Sequence, residues 1–188
     1  MMNDEERYER GRLKMLEERK KNPFSLNQLQ FSSIKPPALE EEIEALQNYI
    51  GHPLPELYKE ICRHFHGGKP QLKCFEDAEG RLVKIGSFYS VVNAKEKGYN
   101  IWKVIKNFSQ ELGRDCLPFA GDSLGLSTFY LKWVNEKVQV WRLLYGELAY
   151  EFSDYDDDDE NEEEGYYFHV LVNESFDAFL ESLYAVEK

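Results

Sequence analysis

The spacing of apolar residues changes partway along the chain, and that change limits the folds open to it. Leu39, Ile43, Leu46 and Ile50 recur at intervals of four, three and four, which places them on one helical face. Pro37 is expected to open this helix, with Glu40, Glu41 and Glu42 in its first turns, where the helix dipole favours negative charge. Gly51 is expected to end it. Leu54, Leu57, Ile61 and either Tyr58 or Phe65 form a second such face, which stops at Gly67 and Gly68. Beyond residue 70 the period falls to two. Leu126, Thr128, Tyr130 and Lys132 fall on one side of a strand, and Ser127, Phe129, Leu131 and Trp133 on the other. The turn "NEK" and the strand "VQVWRLL" follow, so a hairpin is predicted.

The remaining segments fit the same scheme. Residues 4–22 read as a helix whose apolar face is thin, with Leu13, Met15 and Leu16 as its main apolar points. Such a helix packs weakly or docks on a partner. Residues 22–37 read as an extended connector broken by proline and serine. "QLKCFED" and "GRLVKIGSFYS" read as strands around "EDAEG". A helix is predicted through Ile101, Val104, Ile105 and Phe108, closing at Gly113. "GYYFHVLV" reads as the last strand. "SFDAFLESLYAV" reads as a closing helix capped by Ser175. Helices, then mainly antiparallel strands, then a helix make an α+β arrangement, with helices packed around a sheet.

Charge and composition narrow the functions. Of the 188 residues 42% are apolar, enough for one full core. No apolar run approaches the roughly 18 residues of a membrane span. The charged start "MMNDEERYERGRLKMLEERKK" lacks an apolar signal region. The odd, widely spaced set Cys62, Cys74 and Cys116 has no C-x-x-C; it suits a reducing compartment, and a cytoplasmic location is expected. Nine acids, Asp154, Asp156, Asp157, Asp158, Asp159, Glu160, Glu162, Glu163 and Glu164, sit in one segment with no base. Without them the net charge of −12 becomes −3. No basic stripe is present to meet phosphates, so direct nucleic-acid binding is not expected. The acidic segment is either a solvated loop or an electrostatic contact for a basic protein partner. It is not an EF-hand, whose sixth and twelfth positions would fall on Asp159 and Gly165.

Other candidates carry weaker signals. Gly121 to Gly125 fits G-x-S-x-G, the pattern of a serine nucleophile elbow with Ser123 as nucleophile. An elbow leads into a helix, however, and this stretch leads into an alternating strand. The competing reading is a turn shaped by Gly121, Asp122 and Gly125, with the aspartate bonded to its own backbone. Cys62 and His66 stand four apart on one helix and could form half a metal site, but nothing completes it. They read as a buried cysteine with His64 and His66 at the surface or helix end. Dinucleotide, Walker, kinase and metalloprotease patterns are missing, and no cofactor, metal or catalytic residue is expected.

Three segments together resemble the SUKH superfamily, which unites fungal Smi/Knr cell-wall-assembly regulators with many bacterial immunity proteins. The first is "ALEEEIEALQNYIGHPLPELYKEICRHFHGGKP", with Leu54, Pro55, Tyr58, Gly67 and Gly68 at the family's positions. The second is "LPFAGDSLGLSTFYL", with Pro118, Phe119, Ala120, Gly121, Asp122 and Gly125. The third is the closing helix, with Ser175, Phe176, Phe179 and Leu180. The resemblance covers roughly residues 38–185, the length of an ordinary domain. It implies structural roles for these residues and the Smi/Knr-like α+β fold over 38–188. An N-terminal helix and connector precede that domain at 1–37, and an acidic loop at 153–165 interrupts it. It also implies a non-enzymatic protein that binds a protein partner. The first expectation is an immunity protein or antitoxin that occludes a basic toxin, such as a nuclease. The alternative is a regulatory scaffold.

Overall fold

The computed structural model describes residues 3–92, 100–146 and 167–186. Among these residues it is an α+β fold with five α-helices and one six-stranded, curled antiparallel sheet. The strands β1 (Cys74–Glu76), β2 (Leu82–Phe88), β3 (Cys116–Asp122), β4 (Ser127–Val134), β5 (Lys137–Tyr145) and β6 (Tyr167–Asn173) pair in chain order. Strands consecutive in the chain are thus neighbours in the sheet, even where the helix Ile101–Asn107 separates β2 from β3. At the β4–β5 turn Asn135 and Glu136 take φ of 49° and 65°, the left-handed pair that matches the twist of a tight hairpin. β4 is central, and its residues from Ser127 to Leu131 are buried on both faces.

Helix α1 (Asp4–Lys21) begins with a capping box. The Asn3 side chain accepts from the Glu6 N–H, and the Glu6 carboxylate accepts from the Asn3 N–H. Only Gly11 and Met15 of this helix are buried. Leu13 and Leu16, expected as apolar contacts, are 48% and 42% exposed. The thin face instead meets the segment after the last helix. Met15 clusters with Cys74 and Tyr184, and a Cβ at Gly11 would run into the carbonyl oxygen of Ala185. Within the connector, read as wholly extended, Leu26–Leu29 form a 3-10 turn that buries Leu26 and Leu29. These leucines gain more by reaching the core than the prolines and serines around them dictate.

Helix α2 (Glu40–Ile50) starts later than expected. Pro37 lies outside it, and Leu39 is the N-terminal cap, 65% exposed, with its N–H donated to Glu42. Ala38 is buried in its place, beside Ile43, Leu46 and Ile50. Helix α3 (Glu56–His64) buries Tyr58, Ile61 and Cys62. Arg63 of α3 grips both carboxylate oxygens of Glu40 at 2.7 and 3.2 Å, joining the two helices. Helix α4 (Ile101–Asn107) is shorter than its apolar pattern implied, with Phe108 as its C-terminal cap and turns running on to Gly113. Helix α5 (Phe176–Ser182) has Ser175 as N-cap, as expected, its hydroxyl accepting from the Ala178 N–H. After α5 the chain returns to the edge of β1, where Cys74 and Tyr184 exchange two backbone hydrogen bonds of 3.0 Å. The edge of β1 is thereby covered.

Candidate partner-binding surface and the motif residues

The three motif segments converge in one aromatic cluster. The Tyr58 ring lies 6.4 Å from Phe119 and 5.9 Å from Phe176, both edge-on. Phe119 lies 5.4 Å from Phe176 and 6.0 Å from Phe179. Leu54 and Leu180 are buried in the same core. These are favoured edge-to-face contacts, and they hold α3 and α5 on one face of the sheet. The motif glycines shape the backbone, Gly67 and Gly125 taking φ of 71° and 75°. At Gly68 a side chain would collide with the carbonyl oxygen of Phe65.

Asp122 organises the turn that follows β3. Its Oδ1 accepts from the N–H groups of Leu124 and Leu126 at 3.1 and 2.9 Å. Its Oδ2 accepts from the Ser127 hydroxyl at 2.7 Å and from Arg142 Nη2 at 3.1 Å. Arg142 Nε also donates to Ser127 Oγ at 2.7 Å. The Asp122 and Arg142 side chains are 3% and 11% exposed. Burial lowers the pKa of Arg142, and the Asp122 carboxylate opposes that shift. The aspartate therefore bonds its own backbone, as the turn reading required. Ser123 sits exposed in this turn, and a strand follows it. It lacks the strand–turn–helix setting of an elbow. Arg142 was missed in the sequence, although a lone base inside "VWRLL" was its signal.

His169, the only late histidine, faces a different partner. Its Nδ1 lies 2.7 Å from the Tyr130 hydroxyl. Burial, followed by the nearby charge of Lys132, lowers its pKa. A folded state that disfavours the proton is stabilised above the ordinary value near 6.5. That stability is lost as pH falls through the lowered value. Melting at pH 7.5 and pH 5 should thus show a lower midpoint at the acid end. His169→Gln should shrink the difference, and an unchanged pH dependence in that variant would count against this assignment.

The helix end "CRHFH" settles one alternative. Of the two places expected for His66, it takes the helix end, just past α3, and not the surface, for it is buried. Its Nε2 lies 2.6 Å from the Pro36 carbonyl, and its Nδ1 lies 3.5 Å from Ser90 Oγ and from the Val91 N–H. It ties the connector to the strand layer, a use that spacing along one helix does not reveal. Burial pushes the Cys62 thiol up to about 12. Among the described residues no group of three metal-ligating side chains is placed to hold an ion.

Two motifs also reach the surface together. Leu54 and Pro55 before α3, and Ser175 and Phe176 at the start of α5, line a cleft of about 760 Å³. His52 stacks on Trp133 there at 5.6 Å, and Glu136, Glu174 and Asp177 add carboxylates. The nine acids Asp154, Asp156 to Asp159, Glu160 and Glu162 to Glu164 lie outside the described residues. Among the described residues no helix is long and apolar enough to cross a membrane.

The motif residues thus pack the core and shape the turns of an α+β domain. The family model described as SMI1 / KNR4 family (SUKH-1) matches residues 37–182, and the chain belongs to that family. Membership is consistent with an immunity-type or regulatory protein. No curated protein and no solved structure matches the chain.

Proposed function

We infer that this protein is a cytoplasmic immunity protein that binds a cognate toxin and neutralises it by occlusion. Family membership over residues 37–182 carries the reading. The concentration of nine acids between Asp154 and Glu164 supports a basic partner, such as a nuclease domain. Carboxylates on such a surface stand in for phosphates and speed association. Clustered acids attract a basic surface over about a Debye length, so the attraction falls as salt rises.

The test is co-expression with the product of the adjacent gene, scored for survival and for co-purification. Rescue with a stable complex supports immunity. Toxicity without rescue, or no complex, removes immunity to that neighbour and leaves the regulatory reading. Once a partner is in hand, exchanging all nine acids for their amides should weaken binding at least about tenfold at low salt and flatten the salt dependence. An unchanged affinity and salt slope would take the acidic segment out of the interface.

A further inference from the structure

We propose that the cleft between α1 and the β1–β2 hairpin is a docking site for a lysine-bearing segment of a basic protein partner. This deepens the basic-partner reading above but uses different residues, and α1 lies outside the residues matched by the family model. The cleft holds about 1120 Å³, room for several side chains rather than one ion. Glu5, Glu6 and Glu9 line it from α1, and Glu76 lines it from β1, with Arg10 as a cation on the same lining. Glu6 is engaged in the helix cap, and Glu9 is held by Arg12 at 2.8 Å. Glu76 has only a longer contact with Arg12, 3.6 Å. Glu5 and Glu76 are therefore the carboxylates most available to a new cation.

A second observation points to a ligand. Tyr184 also lines this cleft and is 1% exposed, yet its hydroxyl has no hydrogen-bond partner among the described residues. A buried hydroxyl left without a partner is costly, so a binding group that completes it gains affinity. Burial, with the carboxylate of Glu76 next, pushes Tyr184 up to about 12, so it stays a neutral phenol able to accept from an ammonium. The neighbouring wall already accommodates such a group: Lys84 Nζ lies 5.2 Å from the centre of the Tyr8 ring. The geometry of the cleft does not come from loose association of α1. Gly11 lets the helix sit directly on Ala185, one residue from Tyr184.

The experiment is a low-salt NMR titration of the full chain with acetyl-tetralysine amide, run in parallel on a full-length variant whose nine acids from 154 to 164 are amides. Saturable shifts at the backbone amides of Glu5, Glu76 and Tyr184 are expected in both proteins. Glu5→Gln with Glu76→Gln should weaken the peptide about fivefold or more, as two lost partial ion pairs would. Tyr184→Phe should weaken it about threefold without lowering the melting midpoint, because it deletes an unsatisfied group. Scattered, non-saturating shifts, or shifts unaffected by these variants, would overturn the proposal. Saturation of the cleft by spermine at lower concentration than by the peptide would overturn it in favour of a free polyamine. Failure of the toxin test leaves the titration intact, since the peptide represents any basic protein. Absence of cleft shifts removes this site while leaving the immunity reading standing.

Discussion

Asp122→Ala should lower stability by about 3–5 kcal/mol, the usual loss when one partner of a buried pair is removed. Four interactions depend on this carboxylate: the Leu124 and Leu126 N–H groups, the Ser127 hydroxyl and Arg142 Nη2. The substitution strands Arg142 in a site where its side chain is only 11% exposed. The melting midpoint should drop by about 10 °C. Asp122→Asn keeps an oxygen for the two N–H groups and should lose less. Combining Asp122→Ala with Arg142→Met removes the stranded charge and should recover part of the stability. A single Asp122→Ala variant within about 1 kcal/mol of the parent would show that the network does not hold the turn.

Phe119→Ala is expected to cost a similar amount, about 3–5 kcal/mol, through lost burial and the cavity left behind. Phe119 is fully buried. Its ring meets Tyr58 of α3, Phe88 of β2, Phe129 of β4, and Phe176 and Phe179 of α5. These contacts tie all three motif segments to the sheet. Urea unfolding followed by tryptophan fluorescence would measure the loss. Phe119→Leu, which refills much of the volume, should lose clearly less. If alanine at Phe119 changed stability no more than alanine at the exposed Leu126, the cluster would not be the keystone of the core.

The helices that bury a full stripe were legible from spacing. Ile43, Leu46 and Ile50 are all buried, as are Phe176, Phe179 and Leu180. The hairpin of β4 and β5 was legible because alternation and a turn signal agree. Boundaries were less so: Leu39 continues the helical period yet caps the helix from outside, because Ala38 fills the core position. α4 stops at Asn107 although Phe108 keeps the pattern, since Phe108 stays buried in the core while its backbone leaves the helix. Leu26 and Leu29 looked like connector because breakers surround them, and only the core they reach explains their 3-10 turn.

The candidate sites divide in the same way. The Asp122 turn could be read locally, since an aspartate bonding N–H groups two and four residues ahead needs no distant partner. Arg142, twenty residues on, could not be paired with it until the strands took their register. The burial of His66 at the helix end was hidden for that reason, its partners Pro36 and Ser90 being remote in the chain. The cleft of Glu5, Glu76 and Tyr184 draws on the beginning, middle and end of the described chain. Periodicity and turn chemistry act over a few residues, so the sequence by itself determined the element types, the order of helices and strands, and the charge concentration at Asp154 to Glu164. Side chains brought together across the sheet are selected by packing and by the need to satisfy buried polar groups. Tertiary structure alone therefore decided the Asp122–Arg142 pair, the burial of His66 and the seat of α1 against Tyr184.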